Sequence, residues 1–225
     1  QSIVSKMQEL WTNILTISAW WWFWWVNTKS TSKDILTSKI VKSIKENVDW
    51  LDSVLPIIST NWQLIYSRNN MSASVMWVSN DFFKAKNLSI EYWSNISTKN
   101  QDNLDKVAVI WQDVASELFS DTNPVWKKIK MWTNVFQIVW VIWESSTYSS
   151  YMFIPITTAS IRITGQKYYS QIMIAVTDSN QVSTKQTEID TLLQKELKVT
   201  DSTNLPYRLR NQSEMLSNMS SITGT

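Results

Sequence analysis

The side chains best suited to chemistry follow the first predicted strand of the chain. Residues 12–18 read as a strand, a helical pattern covers 33–47, and between them stands the run AWWWFWWVNTKST. If its tryptophans stood for glycines, this run would have the setting of a phosphate-binding loop, in which backbone N–H groups and a lysine hold phosphate. That motif needs glycine directly before Lys-Ser, and Thr28 occupies the position. A P-loop-like nucleotide-binding enzyme domain built on 12–45 is therefore only the alternative function.

Two carboxylate pairs are the other candidates for acid–base chemistry. Asp49/Asp52 and Glu188/Asp190 lie at expected helix ends or exposed faces, where a solvated surface role is the favoured interpretation. The chain has no histidine and no cysteine, which removes imidazole acid–base chemistry, thiol nucleophiles, disulfides and the usual zinc ligands. We therefore expect no enzymatic activity, no catalytic residue, no metal site and no cofactor.

Charge and hydropathy exclude further classes of function. The 225 residues include 21 basic and 19 acidic side chains without a basic block, so no nucleic-acid partner is expected. No stretch reaches the roughly 18 consecutive apolar residues of a membrane span, and the longest candidate, 135–143, reads as a buried strand. No signal peptide is visible, and the chain reads as a piece of a longer protein.

The glycine and tryptophan counts are unusual. There are 2 glycines and 15 tryptophans, whereas ordinary usage of about 7% predicts about 16 glycines. Some bacterial lineages read the codon UGA as glycine, and common tables read it as stop or tryptophan. We hypothesise that most of these tryptophans are glycines in the natural protein. The alternative is a truly tryptophan-rich chain, whose aromatic side chains would form a platform at a bilayer interface or stack on bases or sugars.

Local sequence context supports the recoding hypothesis at several bends. Trp132 separates two strand-like runs where a short hairpin loop normally has glycine. Trp50 follows a helical pattern, and Trp111 lies between a strand and a helix. Both are common glycine positions.

Helical and alternating patterns interleave along the chain, which predicts an α+β fold. Helices are predicted over 33–47 with Ser32 as cap, 112–119 and 181–197, with shorter ones at 1–10, 80–87, 157–164 and from 213. Strands are predicted over 12–18, 54–59, 62–67, 107–110, 151–156, 170–177 and 207–212, with hairpins over 62–79 and 127–142. The turn of the first hairpin is expected at 68–70.

Over essentially its whole length the chain resembles the extracytoplasmic core domain of MacB/FtsX-like ABC transporter permeases. In residues 105–144, VAVIWQDVASELF and NPVWKKIKMWTNVFQIVWV match the family pattern VAVLG, VA-x-x-LF and (D/N)PVG-x-x-I-x-(I/V)-x-G-x-x-F-x-VVGV. ELWTNILTIS at 9–18 is similar to the family's opening, and 32–59 is similar to its first helix and the following strand. Residues 75–97 resemble its V-x-GV-(S/T)-P-(D/E)-(Y/F)-F segment, and 210–225 resemble the approach to a second membrane span.

The tryptophans and two other positions bear on this resemblance. Seven tryptophans fall where the family pattern has or accepts glycine, namely Trp11, Trp77, Trp93, Trp111, Trp126, Trp140 and Trp143. Asn80 replaces a frequent proline, and Ser94 replaces an expected arginine. Neither departure affects a catalytic residue, because the family places none in this domain.

The resemblance implies a fold of porter-like α/β subdomains interrupted by a smaller inserted lobe. It places the porter-like core at 11–87 and 151–212, and the inserted lobe at about 88–150. Residues 1–10 would end a first membrane-proximal helix, and 213–225 would begin the helix leading to the second membrane span.

The resemblance also implies a function. Such a domain lies on the periplasmic or outer face of a cell-membrane efflux or export permease, transmits ATP-driven conformational change and engages substrate or an adaptor. Its partners would be an ABC ATPase domain or subunit, a second permease copy in a homodimer, a membrane-fusion adaptor, and the membrane through flanking helices. Because both chain ends would continue into membrane helices, we expect them close together on one side of the fold.

Overall fold

The computed structural model of the chain describes residues 13–19, 35–79, 81–82, 106–143, 150–156 and 168–211. The elements in chain order are β1 Ile14–Ala19, α1 Ser38–Asn47, β2 Leu51–Tyr66, β3 Asn69–Val78, β4 Val107–Trp111, α2 Gln112–Phe119, β5 Lys128–Met131, β6 Asn134–Ile142, β7 Tyr151–Pro155, β8 Gln171–Val176, a 3-10 turn Ser179–Gln181, α3 Val182–Glu196 and β9 Tyr207–Asn211. This mixture of strands and helices gives the α+β class that the patterns predict.

The chain divides into two compact units. The first comprises residues 1–56, 84–87 and 167–225, and the second comprises 57–83 and 88–166. Strand β2 contributes residues to both, because it continues without a break past Pro56.

The first unit has the element order βαββαβ, formed by β1, α1, the start of β2, β8, α3 and β9. Its strands follow the spatial order β2-β8-β1-β9, and β1 is antiparallel to both of its neighbours. This order and connectivity are those of the split βαβ, or ferredoxin-like, arrangement. The sequence of the second unit thus lies between the start of β2 and the start of β8.

Helical periodicity explains the core of the first unit. In α1, Ile40, Val41 and Ile44 recur on one face and are buried, whereas Lys42 and Lys45 are exposed. The buried apolar side chains of this core are Leu15, Ile17, Leu36, Ile40, Val41, Ile44, Val48, Val54, Ile172, Ile174, Val176, Val182, Ile189, Leu193 and Tyr207.

The six strands of the second unit form a closed cycle of pairings. β2 pairs with β3, β3 with β7, β7 with β4, β4 with β6, β6 with β5, and β5 again with β2. The β3–β7 and β4–β6 pairings are parallel, and the other four are antiparallel. Closure leaves none of these six strands at a sheet edge, which removes a site for unwanted strand addition.

Local signals account for the hairpins and the helix of this unit. Tyr66 pairs with Asn69 and Met131 with Asn134, so each hairpin has a two-residue loop. Helix α2 covers the predicted 112–119 and buries Leu118 and Phe119. The Nδ2 of Asn69 donates to the carbonyl of Leu118 at 2.9 Å, which satisfies a carbonyl at the end of the helix.

Three predicted boundaries differ from the observed ones. Helix α1 begins at Ser38 rather than 33, because Thr37 is extended and bridges to Tyr168. The two strands predicted over 54–59 and 62–67 are one strand, β2. The first hairpin turns at Ser67 and Arg68, slightly before the predicted 68–70, because the pairing of β2 with β3 extends to Asn69.

The second compact unit and the inserted lobe that the resemblance implies at about 88–150 have different bounds, and the lobe itself stays a prediction. Residues 57–83 belong to the second unit, whereas the resemblance places them in the porter-like core. The reason is the length of β2, whose second part pairs with β3 and β5 of that unit. The predicted helices at 1–10, 157–164 and 213–225, the cap Ser32 and the loop at 20–25 lie outside the described residues.

None of the three helices in the described part of the chain has the length and apolar character that crossing a bilayer requires.

Candidate functional site

The second carboxylate pair has structural partners. Asp190 accepts a hydrogen bond from the Tyr207 hydroxyl at 2.6 Å and one from Gln194 at 2.8 Å. Burial of the ring, and next the hydrogen bond to Asp190, raise the pKa of the Tyr207 hydroxyl. Glu188 accepts from the buried ammonium of Lys185 at 2.9 Å. Both carboxylates therefore satisfy polar groups in the interior of the first unit.

The first carboxylate pair is at the surface. Asp49 and Asp52 are exposed, and Asp52 accepts a hydrogen bond from the Thr177 hydroxyl at 3.0 Å. Among the residues that the structure describes, no group of three or more acidic, histidine or cysteine side chains could hold a metal ion. The partners described for these carboxylates are hydroxyl, amide and ammonium groups that they stabilise.

The proposed phosphate-binding loop falls on residues 20–34, which lie outside the described residues. The structure describes only its flanks, β1 and α1.

Helices α1 and α3 are joined by a polar contact. Glu196 of α3 accepts from Ser43 at 3.2 Å and forms an ion pair with Lys39 at 3.3 Å. The hydrogen bond from Lys39, followed by the one from Ser43, lowers the pKa of Glu196. This contact ties together the two helices that cover the sheet of the first unit.

The first and last described strands of the chain pair with each other. β1 and β9 are antiparallel neighbours, with Leu15 opposite Asn211 and Ala19 opposite Tyr207. The chain therefore enters β1 and leaves β9 at the same end of the sheet. The sequence patterns predict both strands but not their pairing, since nearly the whole chain separates them.

The tryptophan-rich run at 20–25, the candidate aromatic platform, lies outside the described residues, and the described tryptophans occupy several separate environments. Trp62 and Trp132 stack with ring centroids 5.7 Å apart, whereas Trp77 and Trp111 are buried. Trp50, Trp126 and Trp132 have positive φ angles. The φ angle of Trp111 is −94°. The backbone at this predicted glycine position therefore does not require glycine.

Comparison of sequences finds a protein-family model that matches most of the chain. The model of the MacB-like periplasmic core domain matches residues 1–192. The macrolide export ATP-binding/permease protein MacB of Vibrio parahaemolyticus is 27% identical over 80% of this chain and 28% of its own length. The MacB protein of Azoarcus sp. is 25% identical over 99% of this chain and 34% of its own length. The chain thus spans about a third of the length of these relatives.

Comparison of structures gives the same fold. The periplasmic region of MacB from Actinobacillus actinomycetemcomitans superposes with a TM-score of 0.71 at 18% identity, covering 100% of this chain and 99% of that one. The extracellular domain of the ABC-type transporter YknZ from Gram-positive bacteria superposes with a TM-score of 0.68 at 15% identity, covering 88% and 100%. These findings do not favour the nucleotide-binding alternative.

Proposed function

Because the chain belongs to the family of MacB-like periplasmic core domains, we propose that it is the extracytoplasmic domain of an ABC-type efflux or export permease. In this role it transmits ATP-driven conformational change and engages substrate or an adaptor protein. ATP hydrolysis takes place in a separate nucleotide-binding domain or subunit, and this domain catalyses no reaction itself.

The observation that carries the proposal is the pairing of β1 with β9. The start of β1 and the end of β9 lie at one end of one sheet, in adjacent strands. Membrane helices attached there would move β1 and β9 together, and the hydrogen-bonded ladder would pass their displacement into the sheet. A packed sheet transmits such a displacement because protein interiors are dense and resist deformation.

The two units have different roles in this proposal. The first unit, with its split βαβ arrangement, is the membrane-proximal part that receives the motion. The second unit, with its closed cycle of strands, is the inserted lobe that engages substrate or adaptor. The permease acts as a homodimer, so the domains of two copies move relative to each other when ATP binds.

Spin labels on the full-length permease, reconstituted with its ATPase, test this motion. Lys128 is exposed on β5, and this chain has no cysteine, so Lys128→Cys gives one labelling site per copy of the domain. We expect the distance distribution between the labels of the two copies to change when ATP and Mg²⁺ are added.

The matched control carries the same label and an ATPase that cannot bind ATP, for which the distribution stays constant. An unchanged distribution in a permease that hydrolyses ATP and transports would contradict the proposal.

A further inference from the structure

We propose that the residues at positions 50, 126 and 132 are glycines in the natural protein, because the codon read here as tryptophan is UGA translated as glycine. This inference is independent of the proposed function. It extends the observation on glycine and tryptophan counts to three positions at which the backbone conformation favours glycine.

Position 132 shows the selection most directly. Met131 pairs with Asn134, so Trp132 and Thr133 form a two-residue hairpin loop. Trp132 has φ 52°, and Thr133 is not among the described residues with positive φ. A two-residue loop with positive φ at its first central residue alone has the pattern of a type II′ turn, which takes glycine at that position. A tryptophan there places its Cβ against the backbone.

Positions 126 and 50 have the same backbone requirement in other settings. Trp126 has φ 70°, and its N–H donates to the carbonyl of Ile138 at 2.7 Å. Trp50 has φ 64° between α1 and β2, and its carbonyl accepts from the N–H of Thr177 at 2.9 Å. These hydrogen bonds restrain the peptide group next to each position, and a large change in φ would disturb them. Three of the six non-glycine residues with positive φ in the described ranges are tryptophans.

The environments of the indole rings point the same way. Trp50, Trp126 and Trp132 are 67%, 51% and 60% exposed, so these bulky apolar side chains gain little from burial. The indole N–H groups of Trp62 and Trp77 are buried without a hydrogen-bond partner, whereas a buried indole N–H usually has one. Exposure thus disfavours tryptophan at the three bends, and the unpartnered N–H group disfavours it at positions 62 and 77.

The described part of the chain contains no glycine. Both glycines of the chain, Gly165 and Gly224, lie outside the described residues. The described part therefore folds through several tight bends without a single glycine, although glycine is the default residue for such bends. Reading UGA as glycine restores it at the bends that need it.

Mass spectrometry of the protein isolated from the cells that carry the gene tests the inference. Three tryptic peptides, 46–68, 107–127 and 131–162, contain positions 50, 126 and 132 respectively. We expect each fragment series to show the mass of glycine at its position. Fragment masses of tryptophan at the three positions would overturn the inference.

Variants of the chain expressed as written test the backbone argument separately. Trp→Gly and Trp→Ala both remove the indole, so the difference between their melting temperatures isolates the effect of Cβ. At positions 50, 126 and 132 we expect each glycine variant to melt about 2–4 °C above its alanine counterpart.

Trp140 is the matched control position, because it lies within β6, is partly exposed and has no positive φ. Glycine loses more backbone freedom than alanine in a strand, so the order of the two variants reverses there. Alanine variants equal to or more stable than glycine variants at 50, 126 and 132 would overturn the backbone argument. Should a variant not fold, the peptide masses still decide between the two residues.

Discussion

In the first unit, the buried hydroxyl group of Tyr207 has hydrogen-bond acceptors on Asp190. The Tyr207 hydroxyl donates to both the carboxylate and the carbonyl of Asp190, at 2.6 and 3.2 Å, and its ring is almost fully buried. A buried hydroxyl without such partners would cost free energy of folding. The contact joins α3 to the last described strand, β9, and so stabilises the strand pair on which the proposed motion depends.

Removing this hydroxyl should destabilise the domain. For Tyr207→Phe we expect the free energy of unfolding in urea at pH 7 to fall by about 1–3 kcal/mol, since a charge-assisted hydrogen bond is lost. The folded pKa of Tyr207 is raised above its ordinary value of 10.0. Its neutral form therefore contributes stability below that pH, and the contribution is lost as pH rises further.

The variant should consequently lose less stability than the parent chain when pH is raised above 10.0. Tyr168→Phe, which removes a hydroxyl from a half-buried tyrosine outside this contact, is the control. An equal alkaline loss in the parent and in Tyr207→Phe would contradict the assignment.

The sequence predicts the roles of single residues only in part. The chain lacks histidine and cysteine, and that fact alone directs interpretation away from catalysis. Asp190, however, reads as a solvated helix residue, because its partner Tyr207 belongs to a separate element that tertiary packing brings near. The hairpin pattern around Trp132 indicates a glycine position from local turn chemistry, whereas only the family resemblance indicates one at Trp126; both residues have positive φ angles.

At the scale of elements, two helices of the first unit are joined through one acidic side chain. Glu196 at the end of α3 is held by Lys39 and Ser43 of α1. Because these contacts favour the ionised form, the pKa of Glu196 is lowered from its ordinary value of 4.5.

Replacing this carboxylate should weaken the helix pair in a pH-dependent manner. A lowered folded pKa contributes stability above pH 4.5, and the contribution disappears as pH falls through the folded pKa. We expect Glu196→Gln to melt below the parent chain at pH 7 and to approach it in acid. Glu46→Gln, which removes an exposed pair with Lys42 within α1, should change the melting temperature less. A deficit of Glu196→Gln that persists unchanged in acid would exclude the electrostatic account.

Elements and hairpins are predictable where their signals are local, whereas pairings between distant strands are not. The apolar spacing within 112–119 predicts α2 with its observed bounds, and the runs on either side of Trp132 predict the hairpin of β5 and β6. The patterns predict two strands, 54–59 and 62–67, that leave Thr60 and Asn61 between them, whereas the observed β2 continues through both residues. Pro56 is tolerated because it precedes the residues that pair with β3. The parallel pairings β3–β7 and β4–β6 join distant segments, which no local pattern specifies.

At the scale of the whole molecule, chain connectivity relates the two units. The described part of the chain begins in the first unit with β1, passes into the second through β2, and returns to end in β9 beside β1. The second unit is therefore an insertion in a fold whose first and last described strands are neighbours. If both strands continue into membrane helices, both units must lie on the same side of the membrane.

Labelling of intact cells tests this arrangement. Lys42 of the first unit and Lys128 of the second are both exposed, so Lys42→Cys and Lys128→Cys in the full-length permease present one reactive thiol in each unit. We expect a membrane-impermeant maleimide to label both variants in intact spheroplasts as completely as after lysis. A cysteine in the cytoplasmic ATPase, labelled only after lysis, shows that the membrane is sealed. If either variant reacted only after lysis, its unit would lie in the cytoplasm. The extracytoplasmic domain could then not contain both units, although the fold of each would stand.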